Sequence, residues 1–195
     1  MIWLLRHGRT EANARGLLLG RADPALDEVG REQALRAAKA LTDSEATQVV
    51  TSPLRRCRGT AAVVGETLEL PVTVDERWIE LDYGDLDQTP VSSLPPATWE
   101  AWMGDVGWTP PGGESIAALG ARVREACDEL LAADGATIVV SHVSPVKAAV
   151  AWALGVGDEV AWRMFVAPAS ISVVATGQGR PSLHAFNDVS HLTRS

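Results

Sequence analysis

Apolar and polar positions along this chain switch between a strand-like and a helix-like period. Residues 2–5 are an unbroken apolar run that stops at Arg6, which predicts a buried strand ending in charge. A polar, glycine-containing loop then runs to about Leu26. Asp27 can cap a helix whose apolar positions Ala34, Ala37 or Ala38, and Leu41 recur at helical spacing. Residues 47–51 predict a second strand. Ser52-Pro53 reads as a helix start, with a capping hydroxyl and proline at the first helical position, and Leu54, Cys57, Ala61, Val64 and Leu68 fall on one stripe. A short strand is predicted over 71–74.

The regular pattern breaks over 85–113, which holds Pro90, Pro95, Pro96, Pro110 and Pro111 together with Trp99, Trp102 and Trp108. Only a short helix, 98–103, fits there. Trp99 and Trp102 at i, i+3 suit a helix packed on the core; the sharper reading is a lid that touches an apolar or sugar-like part of a ligand. Residues 114–131 then predict an amphipathic helix with Ile116, Leu119, Val123, Cys127 and Leu130 inward. Residues 137–141 (TIVVS) form a continuous apolar run, as expected of a strand covered on both faces. Helices over 145–154 and 158–163 follow. Residues 171–175 and 182–186 flank Gly177-Gln178-Gly179 as a hairpin or adjacent strands.

Alternating strands and helices predict a three-layer α/β sandwich with a mostly parallel central sheet flanked by helices. The 195 residues suit one domain, 1–195, with an inserted lid-like segment at about 85–113. A net charge of −8 argues against a nucleic-acid partner. No apolar segment approaches the ~20 residues that span a bilayer. The N-terminus meets charge at Arg6, too early for a signal peptide, and the two cysteines, Cys57 and Cys127, sit on apolar stripes as reduced core residues. The expected compartment is the cytoplasm.

In a parallel sheet ligands bind at the carboxyl ends of strands, and two histidines occupy that place: His7 after the first strand and His142 after TIVVS. Arg6 beside His7 offers a planar fork for phosphate oxygens, His7 a nucleophilic nitrogen, and Gly8 close backbone approach. The four histidines are widely separated and no short ligand spacing occurs, so neither a metal nor another cofactor is expected; His184 and His191 read as structural.

The motifs resemble those of the histidine phosphatase (phosphoglycerate mutase-like) family over nearly the whole chain. Arg6-His7-Gly8-Arg9-Thr10-Glu11-Ala12-Asn13 is similar to its R-H-G-x-T-x-x-N opening. Residues 26–34 resemble L-x-x-x-G-x-x-Q-A. Residues 52–61 resemble S-x-L-x-R-x-x-x-T-A, which places the second phosphate-gripping arginine at Arg56 and not Arg55. Glu80-Leu81-Asp82-Tyr83-Gly84 resembles E-x-x-x-G, Pro111-Gly112-Gly113 matches the turn before a helix, and Ser141-His142 matches the second catalytic histidine.

The resemblance implies a phosphomonoesterase acting on a small-molecule phosphate ester. His7 would take the phosphoryl group, Glu80 would be the proton donor, and Arg6, Arg56 and His142 would cradle the charge. Gly8, Thr10, Asn13 and Val143 are the further substrate-binding candidates, although Thr10 and Asn13 serve equally well to orient the loop. The chain departs from the family at Asp85-Leu86-Asp87-Gln88 and at Val143, where glycine is common. This branch resembles acid and α-ribazole phosphatases. Mutase-type transfer is the alternative; the short segment between Glu80 and Glu114 favours hydrolysis because it leaves the site open to water. A non-catalytic phospho-ligand binder is the third reading. Family members are often dimers, so a homodimer is also expected. Arg9, Arg21, Arg58, Lys147 and Arg163 are candidate extra cations for a carboxylate or second phosphate.

Overall fold

The computed structural model of the chain describes residues 1–177 and 180–193. Among them the strands are β1 (Ile2–Arg6), β2 (Ala46–Thr51), β3 (Val72–Val74), β4 (Ala136–Ser141), β5 (Ile171–Ala175) and β6 (Ser182–Asp188). They form one sheet in the order β3-β2-β4-β1-β5-β6. The first four are mutually parallel, whereas β5 runs antiparallel to β1 and β6 antiparallel to β5. The sheet is thus mixed, parallel where the chemistry-bearing strands lie. Of the expected connection between the last two strands, Gln178 and Gly179 lie outside the described residues.

Period-2 alternation divides each strand between two cores. Leu4, Val50 and Val139 face a cluster built with α5 (Ile116–Ala132) and α6 (Val143–Leu154). Leu5, Val49, Ile138 and Val140 face the other, built with α2 (Glu28–Ala40) and α3 (Arg55–Leu68). β4 is buried throughout, which accounts for its unbroken apolar run. Cys57 and Cys127 are both buried free thiols.

Among the described residues there are also two short helices, α1 (Glu11–Ala14) and α4 (Pro96–Gly104), and a last turn, α7 (Ser190–Thr193). α1 lies within the stretch expected to be loop. Thr10 and Asn13 build its capping box, so a single turn is held by side chains rather than by apolar periodicity. One helix start is corrected. α3 begins at Arg55, with Leu54 as a cap lacking any side-chain bond, and not at Ser52-Pro53. The Ser52 amide is still paired to the Val140 carbonyl at 3.1 Å, which holds it at the sheet end, and its hydroxyl is engaged elsewhere.

Two glycines explain why the loop after β1 packs where it does. A Cβ on Gly8 would strike the Gly30 carbonyl, and one on Gly30 would strike the Arg9 carbonyl. The loop and the first turn of α2 therefore touch backbone to backbone. Gln33, a turn further on, accepts the Arg9 amide at 2.8 Å.

Candidate active site

Strands β1 and β4 are parallel neighbours with Arg6 opposite Ser141, so His7 and His142 emerge side by side past their carboxyl ends. Their ring centroids are 5.1 Å apart, edge to face. His7 is clamped at both backbone groups: its amide donates to the Ser141 carbonyl at 2.9 Å and its carbonyl accepts from Ala169 at 3.0 Å. Its Nδ1 lies 2.7 Å from the Gly8 carbonyl, an oxygen that can only accept. Nδ1 therefore carries the proton, and Nε2, without a partner among the described residues, keeps its lone pair. Burial lowers the His7 pKa well below its ordinary value, and Arg56 and Arg6 lower it further.

Arg56 is fully buried and tightly placed. Its Nε donates to His142 Nδ1 at 3.2 Å, and its terminal nitrogens donate to the carbonyls of Ala22 (2.7 Å) and Gly20 (2.8 Å). Arg55, by contrast, is exposed. Because arginine can only donate, His142 Nδ1 accepts, and His142 Nε2 donates to Ser52 Oγ at 2.7 Å. Burial, Arg56 and His7 together hold the His142 pKa well below its ordinary value. Arg6 gives one bond, to the Val166 carbonyl at 2.6 Å, while its buried Nε has no partner among the described residues. Burial brings the Arg6 pKa down to about 10, so it remains a cation at neutral pH.

Glu80 is buried, 3% exposed. Its Oε1 accepts the amides of Leu81 (2.8 Å) and Ser144 (3.2 Å). Oε2 has no partner among the described residues. The segment carrying Glu80 is fixed by Arg122, which donates to the carbonyls of Arg77 and of Glu80, and Arg122 is itself held by Glu114 at 2.9 Å. His142 caps α6; of that helix's first turn the Ser144 amide goes to Glu80, Pro145 has none and the Val146 amide goes to the His142 carbonyl, so the Val143 amide is the one without a partner among the described residues. Val143 keeps its amide available and adds only bulk where glycine would leave space.

Several positioning groups were hidden in the sequence. Ser52 reads as a helix cap yet bonds His142. Thr60 takes the Gly8 amide at 3.1 Å and donates to the Arg56 carbonyl at 2.9 Å. Asp87, one of several loop carboxylates, accepts the Gly20 and Ala22 amides at 2.8 and 2.7 Å, and so fixes the two carbonyls that hold Arg56. Only its place in the run Asp85-Leu86-Asp87-Gln88, where the chain departs from the family motif, hinted at it. Thr10 Oγ1 and Asn13 Oδ1 are bonded to each other and to each other's backbone amides at 3.0–3.2 Å, while no partner of Asn13 Nδ2 is found among the described residues.

The extra cations separate clearly. Arg9 pairs with Asp27 at 2.8 Å, Arg21 reaches Glu114 at 3.4 Å, Arg58 lines a groove beside β3, and Arg163 is exposed. Lys147 alone of the five lines a cavity next to Glu80. Among the described residues no group of three or more His, Cys, Asp or Glu is placed to hold a metal ion, and no helix is long and apolar enough to cross a membrane.

The sequence matches the family model of the histidine phosphatase superfamily (branch 1) over residues 2–189. The chain belongs to the histidine phosphatase superfamily. A bifunctional protein of Mycobacterium tuberculosis (strain ATCC 25618 / H37Rv) is 36% identical over 97% of this chain and 54% of its own, so this histidine phosphatase chain spans about half the length of that relative. A protein of Erwinia tasmaniensis that carries a phosphoglycerate mutase name is 32% identical over 98% of this chain and 94% of its own. The solved mycobacterial glucosyl-3-phosphoglycerate phosphatase in complex with VO3 superposes with a TM-score of 0.87 at 31% identity, covering 95% of this chain and 98% of that one. The fold of histidine phosphatases is therefore the fold of this chain.

Proposed function

We propose that the chain is a metal-independent phosphomonoesterase that works through a phosphohistidine on His7. The observation that carries this reading is the His7 ring: Nδ1 is tied to the Gly8 carbonyl, Nε2 is free, and the Arg6 guanidinium beside it keeps an unpaired buried Nε. A nucleophilic nitrogen next to unspent cationic donors suits a phosphoryl group.

Phosphate monoesters hydrolyse so slowly unaided that the site has to remove a very large barrier, chiefly by position and charge. In the first step His7 Nε2 attacks phosphorus in line; the N–P bond forms as the bond to the leaving oxygen breaks. Arg6, Arg56 and the Val143 amide at the start of α6 balance charge on the equatorial oxygens. Glu80 Oε2 gives its proton to the leaving alkoxide. In the second step the Glu80 carboxylate takes a proton from water, water attacks phosphorus, and the N–P bond breaks to return neutral His7 and inorganic phosphate. Gly8 contributes close backbone approach. Thr10 acts by fixing the loop after His7; Asn13 holds that loop through Oδ1 and keeps its Nδ2 donor for the phosphate.

We take 1–195 as one domain in which 85–113 covers the leaving-group side, and the substrate as a small phosphate ester. A cytoplasmic homodimer remains part of this proposal. The mutase-named relative favours a second reading, transfer to another hydroxyl; the short cover between Glu80 and Glu114 supports hydrolysis instead. Assay with p-nitrophenyl phosphate in the presence of chelator separates these readings. The expected result is phosphate release by the intact chain and none by His7→Ala. No turnover over a broad pH range would overturn the enzymatic reading, and transfer to an acceptor alcohol in excess of phosphate release would favour the mutase reading.

A further inference from the structure

A cavity of about 180 Å³ adjoins Glu80, its wall shared with Leu81, Tyr83, Val143 and Ser144. Ser144 joins the two places directly, since its amide donates to Glu80 Oε1 at 3.2 Å. Much of the remaining wall is aromatic. Trp102 stacks on Trp99 with centroids 5.8 Å apart and planes 21° apart, and Trp162 stands edge-on to both, at 5.6 and 6.2 Å. The indole N–H groups of Trp102 and Trp162 are buried with no acceptor among the described residues. Buried donors ordinarily find a partner.

Lys147 stands on the same wall, one turn of α6 beyond Val143 and Ser144. Among the described residues it forms no hydrogen bond or ion pair. The other charged group of the wall, Asp158, is already spent on Arg124, at 2.6 and 3.1 Å. Burial lowers the Lys147 pKa; Glu80 opposes that shift and Arg6 adds to it. During the first chemical step Glu80 has to hold the proton that it donates, so it cannot balance Lys147 at that moment. The unbalanced cation then awaits an anion brought by the ligand.

We propose that this cavity seats the leaving alcohol, and that the alcohol is a flat, ring-sized apolar body bearing a carboxylate. The ring lies against the indoles, the carboxylate meets Lys147, and the ester oxygen sits at Glu80. The size is right: a cavity of about 150 Å³ lined by apolar side chains takes up benzene. Leu18, Ile116 and Leu119 complete the apolar lining against which such a ring packs. The inference rests on the phosphatase reading of the neighbouring site.

The test compares kcat/KM for 3- and 4-carboxyphenyl phosphate, phenyl phosphate and glycerol phosphate, with Lys147→Met and Lys147→Arg beside the unaltered chain. One carboxyphenyl ester is expected to exceed phenyl phosphate by about tenfold or more, the worth of one charge-assisted bond. Lys147→Met should bring that ratio close to one, and Lys147→Arg should largely restore it. Binding of the matching hydroxybenzoate, followed by tryptophan fluorescence, should weaken in step and needs no turnover. A ratio near one in the unaltered chain, or a preference that survives Lys147→Met, would overturn the cavity assignment while leaving the phosphatase reading intact. Lys147-dependent hydroxybenzoate binding without hydrolysis of any ester would support the cavity and remove the phosphatase reading.

Discussion

The floor around His7 and the aromatic wall around Lys147 are joined by α6, yet their polar groups are in opposite states. On the floor nearly everything is paired. Arg56 bonds through all three nitrogens, His142 through both ring nitrogens, and Glu80 Oε1 through two amides. Atoms needed for chemistry, His7 Nε2 and Arg6 Nε, are without partners among the described residues. On the wall the indole N–H groups of Trp102 and Trp162 and the Lys147 ammonium all lack partners among the described residues. The floor is finished before any ligand arrives, as charge stabilisation requires. The wall is completed by what it binds, so selectivity resides there.

The sharpest way to separate the two regions is Glu80→Gln. Loss of the proton donor should lower kcat on alkyl phosphates by about 10²–10⁴-fold, while p-nitrophenyl phosphate, whose leaving group needs no proton, loses less than about tenfold. Equal losses on both would break the assignment of Glu80 to leaving-group chemistry.

Trp102→Ala probes the wall from the side of stability. This indole is 2% exposed and packs against Trp99, Trp108, Trp162 and Tyr83. Its truncation should cost about 3–5 kcal/mol in urea unfolding. It should also raise KM more for aryl than for glycerol phosphate. A stability loss with no change in substrate ratio would make Trp102 purely a core residue.

The floor carries its own pH signature. His7 and His142 are both held neutral, by burial first and by Arg56 next. Below about pH 6.5 the unfolded chain takes up protons that these folded histidines refuse, so stability is full above that pH and falls as pH drops. Each such histidine contributes a slope of up to ~1.4 kcal/mol per pH unit. His191, also lowered by burial, adds to the total. His142→Asn should remove one histidine's share of the slope between about pH 5 and 6.5, measured by urea unfolding; an unchanged slope would contradict a neutral buried His142.

The smallest effect belongs to Asp87. It fixes Gly20 and Ala22, which in turn hold Arg56. Asp87→Asn should lower kcat/KM about fivefold by loosening Arg56, and Asp87→Glu should recover part of it. An unchanged kcat/KM would contradict a part for Asp87 in holding Arg56.

Much of this was readable from the residues because the floor is made of local signals. Strand ends, a permanent cation beside an imidazole, and glycines at points of backbone contact all occupy short stretches. The helix and strand periods located β4, α2 and α5 to within two residues. What escaped depends on distant partners. Ser52 looks like a helix cap until β4 brings His142 to its hydroxyl, 90 residues away. Asp87 looks solvated until the loop at Gly20 folds against it, 67 residues away. The wall was legible in pieces, Trp99 and Trp102 as a lid and Lys147 as a spare cation; what escaped is that they meet, with Trp162 of 158–163, around one cavity.

The central claim is that His7 itself carries the phosphoryl group. It is tested most directly by rapid alkaline quench of the chain during turnover of a labelled aryl phosphate, followed by peptide mass spectrometry, since phosphohistidine survives base and not acid. The account predicts one phosphoryl group on the peptide containing His7, and none on His7→Ala. Phosphate release with no label on that peptide, or with label on the His142 peptide instead, would contradict it.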